Sequence, residues 1–265
     1  MEKIEITQMT YTYRHRNACK LALCNLNVTV EPGEFVCIVG HSGCGKTTLL
    51  NVLAGLLKPS AGSVTIDGEP LNGPGTDRAI VFQNYSLFPW MTVRNNVCFG
   101  IEQARKDLKP QQVKTIAESV LERVGMEKAM DNYPFQLSGG MAQRVAIARA
   151  LAMDAAILLL DEPFGALDAK RRKDLQMLLE KLWMESQPAK TILFVTHDIE
   201  EALILGDRIL FMRSGRIAEI IPVPFERPRK RERLLDSPEF HVMKDRLNEM
   251  FEQDEQLETQ EEDVE

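Results

Sequence analysis

Apolar and polar residues alternate through residues 4–13 (IEITQMTYTY) and 21–30 (LALCNLNVTV), the two-residue period of strands buried on one face. Glu31-Pro32-Gly33-Glu34 breaks that period and predicts a turn. Residues 35–39 (FVCIV) form an unbroken apolar run, as in a strand covered on both faces. A Gly-rich stretch follows, then helical periodicity over 47–57. Residues 63–67 and 79–83 predict further strands, and 110–124 and 141–153 predict helices. A second buried strand is expected at 156–160, a helix at 169–186, a third central strand at 191–196, and a hairpin over 207–221 turning at Ser214-Gly215. Strands alternating with helices predict an α/β core with a mainly parallel sheet. Residues from about 84 to 154 carry no strand signal and read as a helical subdomain inserted in that core. No internal repeat is evident.

Composition adds boundaries to this picture. The 265 residues are 44% hydrophobic, enough for one sizeable α/β core. The net charge of −7 comes from the end of the chain: residues 251–265 hold eight acids and no base, leaving 32 bases against 31 acids elsewhere. A nearly neutral body argues against general nucleic-acid binding. The tail reads as a solvated, disordered end, and the basic run 227–233 (RPRKRER) as a solvated charge run. This divides the chain into residues 1–222 and a charged extension, 223–265. The five cysteines match no zinc spacing and read as the reduced thiols of a cytosolic protein. No signal peptide and no run near the ~20 apolar residues of a membrane span is seen, so any membrane role is expected to come through a partner.

The chemistry begins at Gly40-His41-Ser42-Gly43-Cys44-Gly45-Lys46-Thr47, with Thr48 behind it. This fits G-x-x-x-x-G-K-[ST] between a buried strand and a helix. The glycines let the backbone curl so that its N–H groups point at phosphate oxygens, and the helix N-terminus points to the same place. Lys46 suits β- and γ-phosphates, and the Thr47 hydroxyl suits Mg²⁺. The bland alternative is a glycine-rich turn with a surface lysine, which the flanking strand and helix disfavour. Asp161 and Glu162 end the second buried strand, where ligands of open α/β sheets bind. Asp161 is expected to hold Mg²⁺ and Glu162 to polarise the attacking water, against the alternative of a polar helix cap. His197, after the third strand, is placed to meet the γ-phosphate. Gln83, taken alone, is equally a metal ligand or an ordinary strand end.

Leu137-Ser138-Gly139-Gly140-Met141, followed by AQRVAIARAL, closely resembles the signature of ABC transporter ATPases. The resemblance spans roughly residues 4–221. It implies an α/β fold: a P-loop NTPase core of mainly parallel sheet with an antiparallel β subdomain and an inserted helical subdomain. It implies that Ser138 and the Gly139 and Gly140 amides complete the ATP site of a second copy, and that Tyr13 (or Tyr11) stacks on adenine. By the same resemblance Gln83 is the Q-loop glutamine, Ala166-Leu167-Asp168 the D-loop and His197 the switch histidine. Met141 departs from the family's usual glutamine. GPGTDR at 73–78, the following VFQNYSLFPWMTVRNNVCFG, and LLLDEPFGALDA resemble ATPase subunits of nitrate, sulfonate and taurine importers. That narrower likeness implies ATP and Mg²⁺ as ligands and a homodimer on the cytoplasmic face of the membrane. It also implies two permease subunits, an extracytoplasmic solute-binding protein acting indirectly, and an apolar loop at 84–93 that helps receive a permease helix. The rival is a soluble ABC ATPase not coupled to transport.

Overall fold

The computed structural model describes residues 3–15, 18–165 and 167–262. Ala166 of the expected D-loop lies outside them. β1 (Ile4–His15) and β2 (Ala18–Val30) are the two alternating segments, paired antiparallel. Their inward residues Ile4, Ile6, Met9, Leu23, Leu26, Val28 and Val30 are buried, while Glu5, Thr7, Asn25, Asn27 and Thr29 between them are partly or fully exposed. β3 (Phe35–Val39) is buried at every position and leads through the Gly-rich turn into α1 (Lys46–Leu53). β4 (Ala61–Ile66) pairs antiparallel with β1 and carries the short β5 (Glu69–Pro70), giving a four-stranded sheet of order β2-β1-β4-β5.

β6 (Arg78–Val81) joins the second sheet. It ends at Val81, so Gln83 lies two residues past the strand rather than within it. Helices follow: α2 (Val93–Ala104), α3 (Pro110–Arg123) and α4 (Gly139–Ala152), packed around Val97, Ile101, Val113, Leu121 and Val145. The sequence marks no separate helix at α2, whose two asparagines and glycine interrupt the apolar stripe of Val93, Val97 and Ile101. Polar bonds add to that packing. Thr92 caps it by accepting from the Asn95 N–H, and the buried Asn96 amide donates to the carbonyls of Phe88, Met91 and Thr92.

β7 (Ile157–Asp161), α5 (Ala169–Met184), β8 (Thr191–Val195), α6 (Ile199–Leu205), β9 (Arg208–Arg213) and β10 (Arg216–Pro222) complete the six-stranded sheet, order β10-β9-β3-β8-β7-β6. All its pairs are parallel except β9 with β10, the expected hairpin. The fold is thus α/β, with an antiparallel β subdomain and a helical insertion. β7 and β8, like β3, are buried throughout, which is why they read as unbroken apolar runs.

The chain ends in α7 (Arg231–Leu235) and α8 (Pro238–Glu262), and here two expectations are corrected. The basic run is not simply solvated. Arg229 is only 9% exposed and donates to the carbonyls of Leu203, Ile204 and Gly206, closing the C-terminal end of α6. Burial, with Arg227 nearby, lowers its pKa to about 10. Arg227 pairs with Glu180 at 2.9 Å and Asp207 at 2.8 Å and lies 4.4 Å over the Trp183 ring. Nor is the described part of the acidic tail a disordered end: residues 251–262 continue α8, Phe251 packs on the core, and Asp254 is buried 2.5 Å from Arg213. No helix among the described residues is long and apolar enough to cross a membrane, and none of the cysteines is in a disulfide.

Candidate active site

The adjacent strands β3, β8 and β7 carry the site at their carboxyl ends. After β3 the chain turns sharply at Gly40, with φ at 151°. A side chain there would meet the Met212 carbonyl oxygen at 2.2 Å, so only glycine fits. Gly45, in left-handed conformation at φ 106°, opens α1 with no side-chain cap. The first N–H groups of α1 are therefore left to a ligand, the arrangement that binds anions. Lys46 is buried. Its Nζ donates to the carbonyls of Gly40 (2.8 Å) and His41 (2.7 Å) and lies 3.9 Å from Cys44 Sγ.

Ser42, Gly43, Gly45, Lys46, Thr47, Thr48, Gln83 and Glu162 line one cleft of about 290 Å³. The structure thus brings together the loop, the strand-end acid and Gln83. Thr47 Oγ1 donates to Asp161 Oδ1 at 3.2 Å, and Gln83 Nε2 donates to Glu162 Oε2 at 3.2 Å. His197 Nδ1 stands 3.4 Å from the same Glu162 oxygen. The Glu162 N–H donates to the Val195 carbonyl, which fixes the ends of β7 and β8 against each other. Glu162 has φ at 43°, a left-handed backbone that is unusual for a residue with a side chain. Burial raises the pKa of Asp161, and the Thr47 hydrogen bond opposes that rise. A desolvated carboxylate beside a hydroxyl is a hard-oxygen pair that would suit Mg²⁺. Tyr13 OH bonds Thr48 Oγ1 at 3.2 Å, and its ring meets Tyr11 edge-on at 4.9 Å. At 42% exposure, Tyr13 is an accessible ring beside the loop.

Other expected residues stand apart from this cleft. The His41 side chain turns away from it toward α8, and the Cys44 side chain is buried. Ser138 caps α4, accepting from the Met141 N–H at 3.4 Å, with Gly139 and Gly140 in the helix's first turn. Asp168 caps α5, accepting from the Arg171 N–H. Neither cap lines the cleft. The apolar segment after Gln83 divides. Tyr85 and Leu87 pack on the core, while Phe88 lines a separate groove of about 390 Å³ with Phe82, Phe99, Arg149 and Met153. Trp90 is 70% exposed. The buried Arg229 and Asp254 escaped the sequence reading, because charge-rich stretches signal solvent and no pattern marks which single charge turns inward.

A phosphate loop at one strand end, an acid pair at the next but one and a histidine between them define a phosphate-loop ATPase that takes ATP with Mg²⁺. Comparison with known proteins narrows this class. The ABC transporter family model matches residues 23–165. The nitrate import ATP-binding protein NrtD of Synechococcus elongatus is 47% identical over 83% of this chain and 81% of its own length. The bicarbonate transport ATP-binding protein CmpD of a Synechocystis species is 46% identical over 83% of this chain and 78% of its own. Among solved structures, the cassette MJ0796, dimeric in a post-hydrolysis state with ADP and phosphate, matches at a TM-score of 0.75 and 35% identity. That match covers 84% of this chain and 100% of the other. The chain belongs to the ABC transporter family.

Proposed function

We propose that this chain is the ATP-hydrolysing subunit of an importer for a small anion or organic solute of the nitrate, bicarbonate, sulfonate or taurine kind. It works as a pair of copies on the cytoplasmic face of a membrane, beneath two permease subunits served by an extracytoplasmic binding protein. Residues 1–222 form the ATPase unit, with residues 84–154 as its helical insertion and 223–265 as an extension. The loop amides and Lys46 bind the phosphates, and Tyr13 stacks on adenine. Thr47, Asp161 and Gln83 hold Mg²⁺, which supplies charge neutralisation at the β- and γ-phosphates. Glu162 takes the proton of the attacking water, and His197 orients that water with it. Ser138, Gly139, Gly140 and Asp168 serve the site of the second copy.

One observation carries the paired reading. The helix opened by Ser138, an anion-binding N-terminus, lies outside the chain's own phosphate cleft. Closure of a second copy over the cleft leaves Glu162 the water it holds and excludes the rest. The names of the relatives favour import of a small anion. The groove at Phe82, Phe88 and Phe99, with Trp90 exposed nearby, suits a permease helix. The test is co-expression with candidate permease subunits from the same genome, followed by uptake of labelled nitrate and bicarbonate into ATP-loaded vesicles. ATP-dependent uptake that Glu162→Gln abolishes is expected. A cassette that hydrolyses ATP but never co-purifies with a permease would instead be the soluble rival.

A further inference from the structure

α8 reaches the phosphate loop through a single turn, Met250 to Asp254. His41, the second residue of the loop, donates from Nε2 to the Phe251 backbone carbonyl at 2.9 Å. The His41 ring also meets the Phe251 ring at 5.1 Å, and its Nε2 lies 4.0 Å from Asp254 Oδ2. Phe251 packs edge-on against Phe211 of β9 at 5.1 Å. Asp254 is fully buried and pairs with Arg213, which also donates to the Met250 carbonyl at 3.4 Å. Further back, Lys244 pairs with Glu200 of α6, and Phe240 and Leu247 are buried in the main core. The contact is thus a built one, anchored by aromatic packing and a buried ion pair. On the loop side it meets the residue whose backbone carbonyl accepts from Lys46 Nζ at 2.7 Å.

We infer that Phe251 and Asp254 are positioning residues for the ATPase reaction, holding the phosphate loop in binding shape through the His41 side chain. This rests on the nucleotide reading given above. The loop is rich in glycine, and a glycine-rich backbone loses the most freedom when it is ordered on a ligand. Clamping His41 from outside the cleft removes part of that loss before ATP arrives, so the clamp acts on affinity more than on the chemical step. On the opposite side the Gly215 N–H of the β9–β10 turn donates to the Cys44 carbonyl at 3.0 Å. The loop is therefore held at both flanks.

The test compares the full chain, a chain stopped after Glu249, Phe251→Ala, His41→Ala, and His41→Ala combined with the stop. Nucleotide affinity is read by fluorescent ATP analogue and turnover by phosphate release, well below each variant's melting temperature. Stopping after Glu249 is expected to raise KM and Kd for ATP about five-fold while kcat changes less than two-fold, with Phe251→Ala in the same direction. In the His41→Ala background the stop is expected to add nothing, because both changes remove one contact. A shift in melting temperature with unchanged Kd would overturn the inference, as would effects of His41→Ala and the stop that simply add. Failure of the full chain to bind ATP at all would strike the nucleotide reading instead, so the two failures are distinguishable.

Discussion

Two glycine-rich helix starts, 93 residues apart in sequence, look alike on paper and behave differently in the fold. At α1, Gly45 offers no side-chain cap, the first N–H groups face a cleft, and a buried lysine lies within it. At α4, Ser138 caps the helix itself, no lysine follows, and the surroundings are the Tyr85 hydroxyl and Leu167 rather than a cleft. The first start lacks what a phosphate would supply, whereas the second is already largely satisfied. A helix N-terminus binds an anion on its own only where the chain has left it short of acceptors and has walled the anion from water. The second start can only add to a site completed elsewhere.

Substitutions sharpen or break this contrast. Glu162→Gln is expected to lower kcat about a thousand-fold with ATP affinity retained, and to trap a two-copy species with ATP and Mg²⁺ in light scattering. Turnover at the unsubstituted rate would refute Glu162 as the base. Lys46→Ala is expected to weaken ATP binding about a hundred-fold, through loss of charge-assisted hydrogen bonds, in a titration of dilute protein. Ser138→Ala should leave that dilute affinity alone yet lower turnover about twenty-fold at concentrations where copies pair. Equal losses of dilute affinity in Lys46→Ala and Ser138→Ala would erase the asymmetry between the two helix starts. Tyr13→Ala is expected to raise KM about five-fold through lost ring stacking, with kcat little changed. A null effect there with a loss at Tyr11→Ala would move the adenine contact to the neighbouring ring.

What could be read from the chain follows how each residue type signals burial. The strands of the site were legible because β3, β7 and β8 are covered on both faces and so write themselves as continuous apolar runs. The residues of the cleft were legible because bending a backbone around phosphate demands glycine in a fixed pattern with a lysine. α2 was not, since the buried Asn96 and the Thr92 cap, polar residues that imitate a loop, mask its short apolar stripe. α8 was hidden by the opposite effect. Its many exposed acids outweigh, in any window, the few positions that face inward: Phe240, Leu247, Phe251 and Asp254. The inward turn of Arg229 depends on carbonyls of α6 that are distant in sequence.

The strand order has a consequence for synthesis. β8 lies between β3 and β7, and its residues leave the ribosome 156 positions after those of β3. Until then the lysine loop and the acid pair have no wedge to hold them side by side. A nascent chain halted before residue 191 should carry the whole phosphate loop and the acid pair and still fail to retain nucleotide. ATP in the cell would therefore select among finished molecules rather than template the emerging ones.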